Sequence, residues 1–381
     1  MPKQPRGVAA EPGNERCGRS QYVVSGLLAA GLLLTACGGQ AGSSSSNSPQ
    51  TNKSAIDIRG LPATLNAITC ASETDCWAVG TYKTGTSTRT LIEQNTGNGW
   101  RIVSSPTVSP ADSLVAVTCV GAQECWAVGA YGTSDGGKEP LIEQNTGKGW
   151  TVFRSPTPGG SHQKSLSSVS CADANDCWAV GTAGIERYAR GSWTIVDNAT
   201  PDAVSCAVPS DCLAVSSDGI EQYGGSVWSA VTVPNVGHLG LLLGVTCASV
   251  DECWAVGSTA GGAATRALIL AYAGGEWKVV SSSVESLSFN LLGAVTCIST
   301  DDCWTVGQFD QAGVSQTLVV HFTAGGWTVV KSPNAGTRDN TLLSVACPSS
   351  NDCWAVGGYT GTPGSQTLIE HYDGTTWSVV S

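Results

Sequence analysis

Fourteen of the 16 cysteines fall into seven pairs that share one C-x5-C spacing. The first cysteines of successive pairs are 49, 52, 35, 41, 50 and 50 residues apart. A period near 50 residues indicates a repeat architecture, a propeller or a solenoid. The pairs are Cys70/Cys76, Cys119/Cys125, Cys171/Cys177, Cys206/Cys212, Cys247/Cys253, Cys297/Cys303 and Cys347/Cys353.

Each repeat contains four short β-rich segments, as residues 114–153 illustrate. Leu114–Cys119 and Cys125–Gly129 form the first two, a Gly-rich polar loop follows, and Leu141–Gln144 and Trp150–Phe153 form the last two. Four strands per unit are typical of a propeller blade rather than of a solenoid repeat. The sequence therefore predicts an all-β fold, a seven-bladed β-propeller of four-stranded antiparallel blades with one C-x5-C disulfide hairpin per blade.

All 13 tryptophans fit this register. Seven open the fourth strand, and six follow the second cysteine, where Leu213 replaces the seventh. Adjacent blades pack face to face, and the chain has only 4 Phe. We therefore expect the indole rings to form much of the core between blades.

The N-terminus has the organisation of an export signal. Four basic residues within 1–21 precede an apolar run over 22–36, which is too short to cross a bilayer comfortably. Leu34-Thr35-Ala36-Cys37 resembles the cleavage box of bacterial lipoprotein signal peptides, which implies lipidation of Cys37 and removal of residues 1–36. An ordinary secretory signal is the alternative. Residues 37–56 are rich in Gly and Ser and predict a flexible linker, and residues 57–381 are the propeller.

An exported chain with an even number of remaining cysteines predicts disulfides within the pairs. Each bridge would fix one hairpin, and the bridged hairpins are expected to line one face of the ring. Zinc is the alternative, but structural zinc favours closer cysteine spacings and four converging ligands, and the chain has only 4 His.

Two families of propeller are suggested by short motifs. The second strand ending in Val-Gly, the Gly turn and the Trp that opens the fourth strand resemble a kelch repeat, although the double glycine occurs only at Gly357-Gly358. Asp373-Gly-Thr-Thr-Trp377 resembles the Asp-box of sialidase-like propellers, without its preceding Ser or Thr. Either resemblance implies the fold, and neither implies an activity.

Composition and net charge exclude some fold classes and some classes of partner. The 47 Gly and 13% charged residues argue against a helical bundle. Residues 37–381 carry 15 basic and 28 acidic side chains, a net charge of −13, so nucleic acid and anionic lipid are not expected as partners. The membrane is expected to be contacted only through the lipid on Cys37.

Seven acidic residues precede the second cysteines and could form a cation-binding collar at one rim. The favoured interpretation is that each accepts hydrogen bonds from backbone amides of its own loop, because no companion ligands recur at regular spacing. No metal or other cofactor is predicted. The residues are Asp75, Glu124, Asp176, Asp211, Glu252, Asp302 and Asp352.

Glutamates recur in the third strands of five blades, at Glu93, Glu143, Glu186, Glu221 and Glu370. Paired carboxylates would suit a glycosidase. Catalysis needs two or three unique groups, so a repeated glutamate favours a structural role in each blade. His321 and His371 share one repeat position and are interpreted in the same way.

Loop length is the asymmetric feature. Between the residue after Ala-Val and the third-strand Ile or Val lie 11, 12, 3, 3, 11, 11 and 11 residues in blades 1 to 7. Because the 2–3 and 4–1 connections share one face, a notch is expected over blades 3 and 4, with repeat drift as the alternative. Its predicted contact residues are Thr182, Ala183, Gly184, Ser217, Asp218, Gly219 and His238.

These features predict a lipid-anchored, extracytoplasmic, monomeric propeller at the cell membrane that binds a protein or a glycan and has no catalytic residues. The alternative is a propeller hydrolase or lyase that acts on glycans. No unique cluster of acid, His or Tyr favours that alternative.

Overall fold

A computed structural model describes residues 57–156, 163–234, 239–259, 265–280, 284 and 287–380. These residues belong to one compact unit. They form seven sheets, each with four antiparallel strands in sequence order. The chain is a seven-bladed β-propeller.

The first three blades span residues 63–197. Blade 1 contains β1 (Ala63–Ser72), β2 (Asp75–Thr84), β3 (Ser87–Asn95) and β4 (Trp100–Val103). Blade 2 contains β5 (Asp112–Gly121), β6 (Glu124–Gly132), β7 (Lys138–Asn145) and β8 (Trp150–Phe153). Blade 3 contains β9 (Ser168–Asp173), β10 (Asp176–Gly181), β11 (Gly184–Ala189) and β12 (Ser192–Asp197).

The remaining four blades follow the same pattern. Blade 4 contains β13 (Ala203–Val208), β14 (Asp211–Ser216), β15 (Gly219–Tyr223) and β16 (Trp228–Val231). Blade 5 contains β17 (Leu239–Ser249), β18 (Glu252–Thr259), β19 (Arg266–Ala273) and β20 (Glu276–Val279). Blade 6 contains β21 (Ser288–Ser299), β22 (Asp302–Gln311), β23 (Val314–Thr323) and β24 (Gly326–Val330). Blade 7 contains β25 (Asn340–Ser349), β26 (Asp352–Thr360), β27 (Ser365–Tyr372) and β28 (Trp377–Val379).

The cysteine pairs are all bridged within their own blades, as the sequence predicts. Each bridge joins the first strand to the second across the hairpin between them, so it ties no blade covalently to another. The hairpins carrying the disulfides lie on one face of the ring, which we call the disulfide face. The opposite face carries the 2–3 and 4–1 connections and is called the variable face. The bridges are Cys70–Cys76, Cys119–Cys125, Cys171–Cys177, Cys206–Cys212, Cys247–Cys253, Cys297–Cys303 and Cys347–Cys353.

The two cysteines of each bridge differ in burial. The first cysteine is partly exposed in every blade. The second opens the apolar part of the second strand and is at most 3% exposed, because it packs into the core shared with the preceding blade. These sulfur atoms are therefore core atoms as well as cross-links. The buried second cysteines are Cys76, Cys125, Cys177, Cys212, Cys253, Cys303 and Cys353.

Tryptophans hold adjacent blades together. The indole that follows a second cysteine lies edge to face against the indole that opens the fourth strand of the next blade, with ring centroids 5.1 to 5.5 Å apart. At the junction of blades 4 and 5, Leu213 takes this place and packs in the cluster that contains Trp277. The predicted role of the indoles in the core is confirmed.

The ring closes by packing between blades 7 and 1. Trp354 of blade 7 lies against Trp100 of blade 1 with ring centroids 5.4 Å apart, and Leu65 is buried in the same cluster. Ser349 Oγ also donates a hydrogen bond to Glu73 Oε1 over 2.8 Å. Among the described residues, no strand is exchanged between these two blades, since the blade 7 sheet consists of β25 to β28 alone.

The glycine that ends the Val-Gly pair of the second strand permits a close approach to the first strand. A Cβ on Gly307 would lie 1.9 Å from the carbonyl oxygen of Leu291. The first strand is irregular opposite this point, with a register shift between Leu292 and Ala294. Blade 4 has Ser216 at this position, and its shorter first strand pairs only from Ala203 onward.

Candidate functional site

The long 2–3 segments of the variable face are mostly strand, which corrects their prediction as polar loops. In blade 1 the pairing of β2 with β3 continues from Gly80↔Leu91 to Thr84↔Ser87, and blade 6 does the same from Gly307↔Leu318 to Gln311↔Val314. Pairing between the two strands satisfies the backbone hydrogen bonds of these polar residues, so the hairpin forms without an apolar face of its own. We call such an extended 2–3 hairpin an arm.

Blades 3 and 4 have no arm. Their second and third strands end at Gly181↔Gly184 and Ser216↔Gly219. Four additional residue pairs extend the arm of blade 1 beyond these turns by about 13 Å, at about 3.3 Å per residue. The notch is this gap on the variable face, with the turns of blades 3 and 4 as its floor.

The predicted contact residues of blade 3 are largely covered. Ala183 and Gly184 are buried, and Ala183 belongs to the core cluster shared with blade 2. Thr182 is exposed, but its Oγ1 accepts a hydrogen bond from the amide of Ser165 over 2.9 Å. The chain that enters blade 3 therefore occupies the space over this turn. His238 lies outside the described residues.

The turn of blade 4 opens onto a cavity of about 380 Å³. Ser217 and Asp218 are exposed, whereas Gly219 is buried. Asp218 and Gly219 line the cavity together with Glu221 of β15, and residues 198–201, which lead from blade 3 into blade 4, form another wall. Of the predicted notch, the part over blade 4 therefore carries a cavity.

The third-strand glutamates explain why the cavity is there. In blades 2, 3 and 7 the glutamate is sealed at the interface with the preceding blade by a serine from that blade. Ser105 Oγ lies 3.0 Å from Glu143 Oε2, and Ser155 Oγ lies 3.0 Å from Glu186 Oε1. Ser332 Oγ likewise lies 2.7 Å from Glu370 Oε2. These three glutamates are completely buried.

Burial gives these glutamates unusual protonation behaviour. Removal from water raises the pKa of Glu143 and of Glu370 to about 8, and the pKa of Glu93 and of Glu186 to about 7. A serine hydroxyl offsets only part of this effect. At neutral pH these side chains are therefore largely or partly neutral acids within the interfaces between blades.

Glu221 of blade 4 lacks both covers that seal the glutamates of blades 2, 3 and 7. Asn198 stands where the preceding blade would supply the serine, five residues after its Trp. Its fourth-strand neighbour is Ala230, whereas Glu143 and Glu186 are paired with Val152 and Ile195. Two smaller or displaced neighbours thus leave the carboxyl of Glu221 facing a cavity.

The cavity is acidic. Burial together with the nearby carboxylates of Asp197 and Asp218 raises the pKa of Glu221, and burial with Asp218 raises the pKa of Asp202. No Lys, Arg or His is among the described residues that line the cavity. The site is therefore a concave surface of negative potential.

A second cavity of about 650 Å³ adjoins the first at Val233. Its lining includes Pro234, Trp277 and Val279, so it is mainly apolar. It lies between the exit of blade 4 and the outermost strand of blade 5. The two cavities thus flank the same stretch of chain, one acidic and one apolar.

The acids before the second cysteines have partners other than those predicted. Five of them bond a side chain of the third strand, which makes the prediction of bonds to backbone amides of their own loops wrong for these residues. The third-strand partner lies beside the acid because the two strands are antiparallel neighbours. The pairs are Asp75–Gln94, Asp176–Arg187, Asp211–Gln222, Asp302–His321 and Asp352–His371.

The histidines at the shared repeat position pack within their own blades. His321 stacks on Trp304 with ring centroids 3.7 Å apart, and His371 stacks on Trp354 at 4.0 Å. Each Nε2 is engaged by the aspartate before the second cysteine. In the described part of the chain, no group of three or more His, Cys, Asp and Glu side chains could hold a metal ion.

Three solved structures resemble this fold. They are U3-55K (8% identity, TM-score 0.56, covering 83% of this chain and 99% of that one) and the WD40 repeats of RRP9 (8%, 0.53, 83% and 98%). The third contains the extracellular domain of a putative hybrid two-component system from B. thetaiotaomicron (11%, 0.52, 83% and 40%). At these identities the similarity shows the propeller fold alone.

The sequence matches no protein-family model and no curated protein. A kelch or Asp-box relationship therefore stays a prediction. Asp373, which carries the Asp-box resemblance, accepts hydrogen bonds from Thr375 and from the amide of Thr376, and these bonds lower its pKa to about 2. It thus stabilises the turn before Trp377.

Cys37 lies outside the described residues, so its lipidation stays a prediction. Over the residues that the structure describes, no helix is long and apolar enough to cross a membrane.

Proposed function

We propose that the protein is a lipid-anchored, extracytoplasmic binding module that docks a partner protein in the notch and catalyses no reaction. The single observation that carries the proposal is the notch itself. Two adjacent blades lack arms, and the cavity in this gap is the place where the seal of a repeated glutamate is broken. A rigid propeller with a preformed concave surface loses little entropy on binding.

Two further features support the location. Seven disulfides within one chain are typical of an oxidising compartment. Leu34–Cys37 supplies a lipidation box, and a lipid on Cys37 would hold the propeller at the outer surface of the membrane.

A protein partner is favoured over a glycan by the lining of the acidic cavity. Sugar rings are commonly held against aromatic side chains, and among the described lining residues of this cavity there is none. Ala199 and Ala230 instead provide apolar contacts beside the carboxylates. A glycan partner remains the alternative outcome of the test.

Filling the notch tests the proposal. Replacing Ser217-Asp218 by residues 81–90 of blade 1 would give blade 4 an arm, because Ser216↔Gly219 and Gly80↔Leu91 are equivalent pairs. The matched control replaces residues 308–317 of blade 6 by the same ten residues, an exchange of one arm for another away from the notch.

The full chain of each variant is then probed with a random peptide-display library and a glycan array. We expect peptide ligands that bind the native protein and the blade 6 control but not the blade 4 variant, at nearly equal melting temperatures. Ligands that bind the blade 4 variant equally well, or no ligand in either library, would overturn the proposal. Selective glycan binding would replace the protein partner by a glycan.

A further inference from the structure

Glu221 is the one third-strand glutamate, among those of the described residues, whose carboxyl faces a cavity. Because propeller blades repeat, the sealed glutamates show what the native packing of this position looks like. Blade 4 departs from it at two independent places, Asn198 in the preceding connection and Ala230 in the neighbouring strand. No side chain of the described residues donates a hydrogen bond to Glu221, whereas Glu143 has Ser105. The carboxyl of Glu221 is thus a hydrogen-bond acceptor that a ligand in the cavity can reach.

The surrounding charges define what could bind there. Asp218 lines the same cavity, and Asp197 and Asp202 are close enough to interact with Glu221 and Asp218 respectively. Glu221 and Asp218 line the cavity together without a cation, so their carboxyl groups repel each other, and a positively charged group would relieve that repulsion. Their side chains do not converge as ligands of a bare metal ion. An organic cation, which spreads its charge over a larger volume, fits the cavity better.

The shape of the lining specifies the rest of the ligand. Ala199 and Ala230 line the cavity beside the acids. Lys and Arg side chains bury an aliphatic stem against apolar surface and present their charge at the tip. The adjoining apolar cavity, with Pro234 and Trp277 in its lining, can take a neighbouring apolar residue of the same segment.

We propose that the acidic cavity of blade 4 binds a Lys or Arg side chain from a segment of a partner protein, while a neighbouring apolar side chain enters the cavity beside Val233. This proposal rests on the proposed function and specifies its partner. Glu221 and Asp218 supply the acceptors, and Ala199 and Ala230, which line the cavity on the side of Glu221, contact the stem of the cationic residue.

The first test asks whether the bound segment needs a Lys or Arg side chain. Peptides selected from the display library on the full chain are sequenced, and the best binder is synthesised together with a copy in which its Lys is norleucine or its Arg is citrulline. We expect enrichment of Lys or Arg at one position, a norleucine or citrulline copy that binds at least about tenfold more weakly, and weaker binding at higher salt.

The second test reads the site. The double variant Asp218→Asn, Glu221→Gln should weaken the best peptide at least about tenfold. Ala230→Ile, which restores the cover found in other blades, should do the same without altering any charge. The matched control Glu252→Gln changes an acid on the disulfide face and should bind normally. Melting temperatures should not fall in Asp218→Asn, Glu221→Gln, because the substitutions remove mutual repulsion.

The outcomes separate this inference from the proposed function. Peptides that are blocked by the blade 4 arm but show no preference for Lys or Arg would overturn the inference and leave the notch as the docking site. Stabilisation by Ca²⁺ alone that depends on Glu221 would make it a metal site, and binding of chitosan oligomers alone would make it an amino-sugar site. Either result overturns the proposal, as does the absence of any notch-dependent ligand.

Discussion

At the scale of single residues, one side chain type serves two purposes in this protein. A glutamate in the third strand is sealed from water when the preceding blade supplies a serine, as Ser155 does for Glu186, and burial then keeps the carboxyl largely or partly neutral. The same glutamate lines an acidic cavity when Asn198 and Ala230 stand at the covering positions. The change requires no alteration of the glutamate itself, so the chemistry of the position is set by its neighbours.

The buried glutamates predict a pH dependence of stability. In the unfolded chain a glutamate ionises near pH 4.5, whereas native Glu143 ionises near pH 8. Between these values the native state binds more protons, so the free energy of unfolding should fall as pH rises from about 4.5 to about 8. The stability that the neutral acid contributes is fully present below this window.

Glu143→Gln should remove part of that dependence, because the amide stays neutral and can still accept a hydrogen bond from Ser105. Between pH 5 and pH 8.5, the free energy of unfolding should fall by about 1 to 4 kcal/mol less in the variant than in the native protein. Chemical denaturation at each pH measures this difference. Glu276→Gln, which changes an exposed side chain, is the control. Identical pH profiles for Glu143→Gln and the native protein would contradict the prediction.

At the scale of elements, the unit of the structure is a hairpin held by a disulfide and packed against the next blade by indoles. A bridge across C-x5-C closes a loop of seven residues. The chain-entropy estimate for such a loop is about 2 kcal/mol, and the covalent bond restrains only its own blade. Cooperativity between blades must therefore come from the Trp pairs and the buried interfaces, to which the second cysteine of each bridge contributes its sulfur.

Loss of one bridge should accordingly weaken the propeller without opening it. Cys297→Ala, Cys303→Ala is expected to lower the free energy of unfolding by about 2 to 4 kcal/mol and to keep the far-UV circular dichroism of the native protein. About 2 kcal/mol of this loss comes from the loop entropy, and the rest comes from the packing of the buried Cys303 sulfur.

In the native protein, denaturation should expose no free thiol and peptide mapping should link each pair internally. A cross-blade bridge would contradict this account of the elements.

The close contact of the second strand with the first gives another test. Gly307→Ala places a methyl group 1.9 Å from the carbonyl oxygen of Leu291, so β21 and β22 must separate. We expect a loss of about 2 to 3 kcal/mol in the free energy of unfolding. Gly224→Ala, where nothing lies within 4 Å of the new methyl group, should leave the stability nearly unchanged.

At the scale of the whole molecule, the ring of similar blades is asymmetric because two blades lack the arm. Arms in blades 1, 2, 6 and 7 extend the variable face, and their absence in blades 3 and 4 makes the notch. The disulfide face is uniform, since every blade closes it with the same C-x5-C hairpin. Binding is therefore expected on one face and on one side of the ring.

Attachment to a membrane is the remaining prediction at this scale. Cys37→Ala should abolish lipidation and release the protein from the membrane fraction, because the lipid on Cys37 is the expected attachment. The measurement is fractionation with mass spectrometry of the mature N-terminus. Membrane retention of the variant equal to that of the native protein would contradict the lipoprotein assignment.

The sequence by itself determined the fold, because its signals are local and repeated. Seven C-x5-C pairs, a Trp after the second cysteine and a Trp at the fourth strand define strands and register without reference to distant residues. The same counting located the gap over blades 3 and 4. The number of residues in a hairpin is a local quantity, so it can be read directly from the chain.

Only the tertiary structure decided which part of the gap is a cavity. Glu186 and Glu221 occupy the same repeat position. They differ in the covering residue from the preceding blade, which is Ser155 for Glu186 and Asn198 for Glu221 and lies more than 20 residues earlier in the chain. The chain entering blade 3 covers Ala183 in its short turn, whereas the similar turn of blade 4 stays open. The acids before the second cysteines found their partners across the sheet, and the second cysteines themselves were placed in the core. Contacts between blades depend on side-chain size and on the path of the connecting chain in three dimensions, which local spacing does not encode.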